Sequence, residues 1–494
     1  MTDVVSEPRA DVPAPAPEPR RRPVGPFLRR HAGIAAVLGA GAVLRLLALL
    51  AIYPGTWFSD ANNYVYVAAS GRLSGVRVQG YALFVAPFWH WFHSAGLLII
   101  TQHLLALGIV VALYALLVHR GVPRWIATLA VVPAALDAYL IAIEHAIMSD
   151  TLFHAAVVAA VVLLLWQDRP GLAAAVAAGL LLGYAGVVRS AGAPFFAVFV
   201  IYLLIRRPGW RVVAVFCVGW ALVNVGYMTT FKLQHGQFTY TTWSARFLYA
   251  RVATFADCSK MHGLPADERA LCPDPRHRMT DNSYLWGHSS PIHDLKMDAN
   301  PRIRDFALRG IRSEPLVYGK SIALMVAHYF EPGHRIARND YSPAVWQFPL
   351  DPRKITYPGY RGPIRPGQYP RKATTDPNTY ITPLVRAGPS VHTRPSKLLH
   401  YYQRYAFTSG QVLLICVAIV LAALILRRGA WRLRLDAALL VAATLVSLIV
   451  ASALSVFSYR YGLLAILLLP AAAALAATSM LRRQPVRPDR TQAL

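Results

Sequence analysis

Two acids and two arginines carry the chemistry this sequence could do. Asp60 lies in FSDANNYVYVAASG, directly after the first apolar run, and Asp150 lies in EHAIMSDTLF, where one apolar run ends and the next begins. A carboxylate at a protected, partly apolar position can act as general base toward a hydroxyl, and a second one can orient a metal or an acceptor group. Arg189 in GVVRSAGAPF and Arg460 in FSYRYGLL also stand at the ends of apolar runs. Their guanidinium forks match phosphate oxygens and would neutralise a leaving group. The same residue types have plainer roles, since Asp60 complements a helix dipole, Ser149 and Asp150 cap a helix, and an arginine snorkels to the surface. Supporting polar residues are Glu144 and His145 beside Asp150, Lys232 beyond the seventh run, and Arg45 inside the first, where internal pairing is expected.

These residues need elements that hold them at one surface. Of 494 residues, 55% are hydrophobic and 15% charged, with a mean hydropathy of +0.39. Soluble chains carry roughly 25% charged residues, so the composition argues for a membrane protein. Ten apolar runs follow, near 33–53, 95–118, 125–143, 151–166, 172–188, 191–205, 212–231, 410–426, 436–456 and 461–481. In lipid each must close its own backbone hydrogen bonds, which predicts an all-α polytopic bundle of about ten transmembrane helices.

Arginines recur at alternate connections: 20–30, Arg120 with Arg124, Arg206 to Arg211, Arg427 to Arg434, and Arg482 with Arg483. The positive-inside rule makes those connections cytoplasmic and puts both termini there, in a plasma membrane. The acids then face outward. The reading divides the chain into a disordered cytoplasmic tail (1–31), an N-terminal bundle of seven spans (32–231), an extracytoplasmic insert (232–409), three C-terminal spans (410–481) and a short tail (482–494). Ser59 is expected to cap an interfacial helix over 60–71. Within the insert, residues 301–330 read as an amphipathic helix running into an apolar one against the bundle, and 332–400 reads as loop.

The formal charge of +26 is scattered in short clusters beside apolar runs, which excludes a continuous nucleic-acid face. Cys258 and Cys272 bracket a short outer loop, and a disulfide there would stabilise by roughly 3 kcal/mol. Cys217 and Cys416 sit in apolar runs. The sequence carries no phosphate loop, dinucleotide fingerprint, zincin helix or nucleophile elbow.

The order FSDANNYVYVAASG, GYALFVAPF, EHAIMSDTLF, VVRSAGAPF and YRYGLLAILLLP, after an arginine in span one, resembles the GT-C type glycosyltransferases. That group includes protein O-mannosyltransferases and lipid A aminoarabinose transferases. The resemblance covers about the first 230 and the last 50 residues. It implies a GT-C-like bundle and a sugar taken from a polyprenyl phosphate, with inversion, onto an extracytoplasmic protein, lipid or glycan. By position, Asp60 takes the family's base, Asp150 its second acid, and Arg189 and Arg460 the donor phosphate. Relatives often carry adjacent acids in the first loop; Ser59 and Asn62 flank Asp60 here, so a divalent cation is left open and no other cofactor is implied. The insert lies outside the motif match and suits acceptor recognition. A lipid-linked polysaccharide polymerase or ligase, and a lipid or sugar flippase, are the competing readings.

Overall fold

The computed structural model describes residues 29–333, 342–354, 384, 390–427, 430–455 and 457–481. The two tails expected at the ends lie outside these residues, apart from 29–31. So does most of the stretch 332–389.

Each of the ten apolar runs is helical over most of its described residues. In chain order α1 is Ala32–Ala51, α2 Ser59–Ser70, α3 Gly80–His90, α4 Ala95–His119, α5 Arg124–Leu136, α6 Ala138–Glu144, α7 Asp150–Trp166, α8 Leu172–Val188, α9 Phe195–Arg206 and α10 Trp210–His235. Five helices are long and apolar enough to cross a membrane, or up to seven if each of two bent pairs counts once. The expected ten therefore exceeds what length and composition establish. α7 and α8 have 17 residues each and α9 has 12. At about 1.5 Å per residue even 17 residues fall short of a hydrocarbon core about 30 Å thick.

The third run breaks at Asp137, where α5 and α6 meet at 52°. Asp137 Oδ1 accepts from the backbone N–H of Tyr139 and Leu140, so the carboxylate caps a new helix inside an apolar stretch. The connection between α1 and α4 holds two short helices. α2 begins at Ser59 with Phe58 as its N-cap, so Ser59 is not the cap, and it ends where Gly71 takes φ +68°. Tyr64 and Tyr81 pack α2 on α3 edge to face, ring centroids 4.9 Å apart.

The segment after α10 folds as a small helical unit of its own. α11 (Ser244–Ala253), α12 (Asp281–Trp286) and α13 (Asn300–Ser313) enclose a second core around Tyr249, Tyr284, Ile292, Ile303 and Phe306. Buried Arg246 ties the loop before α13 to α11 through the carbonyls of Ile292, Leu295 and Lys296. A disulfide joins Cys258 to Cys272. α14 (Pro315–His328) follows after one residue, Glu314, and packs on α17 (Trp431–Leu454). Within 332–400, read as loop, Thr393–Tyr405 forms a further helix, α15, bent 46° from α16 (Gly410–Leu426). Ahead of it Ser390–Val391 pairs antiparallel with Ile52–Tyr53, tying the segment back to the end of α1. α18 (Leu463–Leu481) is enclosed by its neighbours almost throughout.

Candidate functional site

Asp60 and Asp150 come together because the two loops that carry them are laced through their backbones. Thr56 N–H donates to His145 O at 2.8 Å, and Ile147 N–H donates back to Thr56 O at 3.3 Å. Gly55 permits this approach, since a Cβ there would meet His145 O at 2.7 Å. Just beyond, Asp60 lies in the first turn of α2 and Asp150 starts α7, and Tyr64 O–H bonds Ser149 Oγ across the gap at 3.2 Å. Ser149 stands at the N-cap of α7 but makes no side-chain cap bond. A second close approach brings in Arg189, because a Cβ on Gly80 would lie 2.7 Å from the Val187 backbone at the end of α8.

Three guanidinium groups surround the two carboxylates. Arg77, between α2 and α3, donates through Nη1 to Asp60 Oδ2 at 2.9 Å. Arg189 pairs with Asp150 Oδ1. Arg460, on the turn Tyr459–Gly462 before α18, stands between them, its Nη1 3.6 Å from Asp60 Oδ2 and its Nε 3.9 Å from Asp150 Oδ1. Those separations exceed a hydrogen bond. Arg460 is only 8% exposed, and its Nε and Nη1 have no hydrogen-bond partner, nor does Oδ2 of fully buried Asp150. Its guanidinium lies 5.2 Å from the Trp346 ring centre and 5.1 Å from that of Tyr461. Arginine N–H groups with aromatic walls and no oxygen to meet are suited to an incoming anion.

Two cavities share this wall. The larger, about 550 Å³, runs from Asp60, Arg77 and Arg460 to Asp281, Asn282 and Trp286 of α12. The smaller, about 220 Å³, runs from the same three residues to Tyr64, Ser149 and Arg189 and to Val450 and Leu454 of α17. Burial pushes the Asp281 carboxyl up to about 7, against the Asn282 N–H and the charge of Arg251, which act downward.

The structure thus places Asp60, Asp150, Arg189 and Arg460 in one site and leaves the other polar residues elsewhere. Glu144 and His145, expected on one surface with Asp60, do not join it but turn into the bundle. Arg45 holds Glu144 at 2.8 Å, His103 Nδ1 lies 3.2 Å from Glu144 Oε2 and its Nε2 lies 3.2 Å from His145 Nδ1, and His145 Nε2 reaches Ile52 O at 2.8 Å. A buried charge needs its counter-charge more than it needs water, which is why this helix end points inward. Lys232 is exposed on α10, outside both cavities. Sequence reasoning missed Arg77, Tyr461, Trp346 and Asp281. Tyr461 had a signal, standing next to Arg460 in FSYRYGLL, whereas Arg77 lies 17 residues past Asp60, between the motifs of that connection.

Among the described residues no group of three His, Cys, Asp or Glu side chains could hold a metal ion. The two carboxylates are answered by three guanidinium groups instead, so this donor set suits an anion and does not fit a resident divalent cation.

No protein-family model and no curated protein matches the sequence. Among solved structures, one match is the protein O-mannosyltransferase Pmt1–Pmt2 complex of S. cerevisiae bound to the sugar donor. It has a TM-score of 0.33 and 18% identity over 46% of this chain, which spans 36% of that one. Another is ArnT from Cupriavidus metallidurans bound to undecaprenyl phosphate, with a TM-score of 0.35 and 12% identity over 90% of this chain and 78% of that one.

Proposed function

We propose that the chain is a membrane glycosyltransferase that moves a sugar from a polyprenyl-phosphate donor to an extracytoplasmic hydroxyl acceptor on a protein, lipid or glycan. The observation that carries this reading is Arg460, suspended between Asp60 and Asp150 with its buried Nε and Nη1 hydrogen-bonded to no oxygen, while Nη2 donates to the Tyr461 hydroxyl at 3.5 Å. A phosphate at that point would supply the missing oxygens. The anomeric carbon attached to it would stand beside Asp60.

In this mechanism the acceptor hydroxyl attacks the anomeric carbon from the face opposite the phosphate. The new C–O bond forms as the sugar–phosphate bond breaks, with inversion. The hydroxyl proton passes to Asp60, whose hydrogen bond to Arg77 falls on Oδ2, leaving Oδ1 for the transfer. The electron pair leaves with the polyprenyl phosphate, whose charge Arg460 and Arg189 neutralise. Asp150 touches no reacting atom in this scheme and acts as a positioning residue that fixes Arg189. The smaller cavity, with Val450 and Leu454 on its wall, takes the start of the polyprenyl chain, and the larger takes the acceptor.

The orientation belongs to the same proposal. α7, α8 and α9 complete ten crossings, both termini are cytoplasmic in a plasma membrane, and the unit between α10 and α15 is extracytoplasmic over the site.

The test is sugar transfer from radiolabelled polyprenyl-phosphate hexose and pentose to envelope acceptors in vesicles carrying the full chain. Asp60→Asn should lower turnover by roughly 10²-fold or more, the range of positioned proton transfer. Unchanged turnover removes Asp60 from the base role, and transfer only from diphosphate carriers points to a polymerase or ligase.

A further inference from the structure

The wall of the larger cavity that faces the arginines comes from the unit after α10. Thr280 accepts from Ser283 N–H and starts α12, which puts Asp281 in its first turn and Trp286 at its end. Asp281 is 6% exposed, lines the cavity, and its Oδ1 has no hydrogen-bond partner. Leaving a buried acceptor unpaired is costly, which is reason to look for a donor that arrives with a ligand. Trp286 is 41% exposed, yet its ring is fixed by stacking on Trp243 with centroids 4.9 Å apart. Asn282 is exposed beside them on the same wall.

We propose that this wall is an acceptor subsite for a sugar ring, with Asp281 and Asn282 taking ring hydroxyls and Trp286 covering an apolar C–H face. The unpaired Oδ1 of Asp281 calls for a hydroxyl donor, an amide both gives and takes, and an indole plate meets apolar surface. A sugar presents all three surfaces on one small rigid body. The cavity, about 550 Å³, has room for it and is lined by Asp60 as well. The inference rests on the transfer reading above and deepens it by naming the acceptor as carbohydrate.

The experiment is saturation-transfer NMR on the full chain in detergent, with methyl glycosides of a hexose and a pentose against an acetylated Ser/Thr peptide. Saturation should appear on the ring C–H protons of a glycoside and be absent from the peptide. Asp281→Ala and Trp286→Ala should each weaken glycoside binding roughly tenfold or more, Asp281→Asn less, because one acceptor oxygen remains. Exposed Asn282→Ala, which leaves the α12 core intact, should weaken it severalfold. The proposal is overturned if neither glycoside binds, or if binding is unchanged in all the variants. Binding needs no turnover, so the two readings fail separately. Glycoside binding without transfer from any polyprenyl-phosphate sugar removes the transferase and keeps the subsite, whereas transfer to the peptide without glycoside binding does the reverse.

Discussion

Arg460 is the residue on which the site's electrostatics turn. It sits within ion-pair range of both acids while hydrogen-bonding neither, so it balances charge without being used up. Replacing it with alanine leaves Asp60 and Asp150 facing each other with one cation fewer, and takes away the N–H groups open to an anion. Under the proposed transfer, Arg460→Ala should therefore raise the donor KM by at least tenfold and also lower kcat, because the leaving phosphate would lose a partner whose contact strengthens as charge develops. Arg460→Lys restores the charge but not the fork, and should recover binding more than turnover. Steady-state kinetics on the donor checks both, and an unaltered donor KM in the alanine variant removes the clamp. Of this site the sequence disclosed the two acids and two of the three arginines, because charges at the ends of apolar runs are rare enough to notice. It gave no warning that Glu144, six residues from Asp150, turns the other way. Side-chain direction at a helix end is decided by the nearest partner in space, here Arg45 from α1, and that partner is 99 residues away.

Elements were easier to read than the contacts between them. Lipid forces the backbone to close its own hydrogen bonds, so an apolar run of sufficient length becomes a helix whatever it packs against. The break between α5 and α6 was hidden for the same reason: a single Asp barely changes the hydropathy of AVVPAALDAYLIAIE. Its effect is nevertheless large. Asp137 Oδ1 caps α6, and Oδ2 accepts from Thr408 N–H at 2.7 Å, tying the bend to the turn before α16. Asp137→Ala leaves those three N–H groups without this partner and should destabilise the protein by about 2–4 kcal/mol, combining the loss of a cap with that of a charged hydrogen bond. Asp137→Asn keeps an oxygen at the cap and should lose less than half as much. Thermal unfolding in detergent measures the difference, and equal midpoints for the two variants would show that the bend is set by packing instead. Helix α15 escaped notice because TRPSKLLHYYQRY is too polar to stand out beside the apolar runs. Its place is set by tertiary bonds, such as Tyr402 O–H to Leu136 O at 2.6 Å.

At the scale of the whole molecule, buried charge is concentrated at both ends of the bundle. α7 runs from Asp150 in the site to Trp166, with Asp168 just beyond, so about 26 Å of helix separates the two ends. At the far end Asp436 of α17 is fully buried, takes Arg120 at 2.7 Å and the Tyr202 hydroxyl at 2.8 Å, and pairs with Arg206. Asp168 joins the same cluster through Arg120 at 2.8 Å and Arg432 at 2.7 Å. One carboxylate thus fastens the ends of α4, α9 and α17, and α17 also supplies Val450 and Leu454 to the smaller cavity. Breaking a buried pair on one side leaves its arginines uncompensated, so Asp436→Ala should cost about 3–5 kcal/mol and lower the unfolding midpoint by several degrees. The effect on function distinguishes two kinds of bundle. If the helices behave as independently packed rods, the residual folded protein keeps its donor KM, because the site end retains its contacts. If α17 pivots as a unit, loosening it at Asp436 displaces Leu454 and raises donor KM without touching the arginines. The packing favours the first outcome: α18 contacts α17 along the bundle, and α14 braces its C-terminal half, with Tyr318 O–H reaching Ala453 O at 2.9 Å. Donor kinetics on Asp436→Ala, measured below its unfolding midpoint, should therefore match the parent chain, and a KM raised severalfold would show that the two charged ends are mechanically coupled.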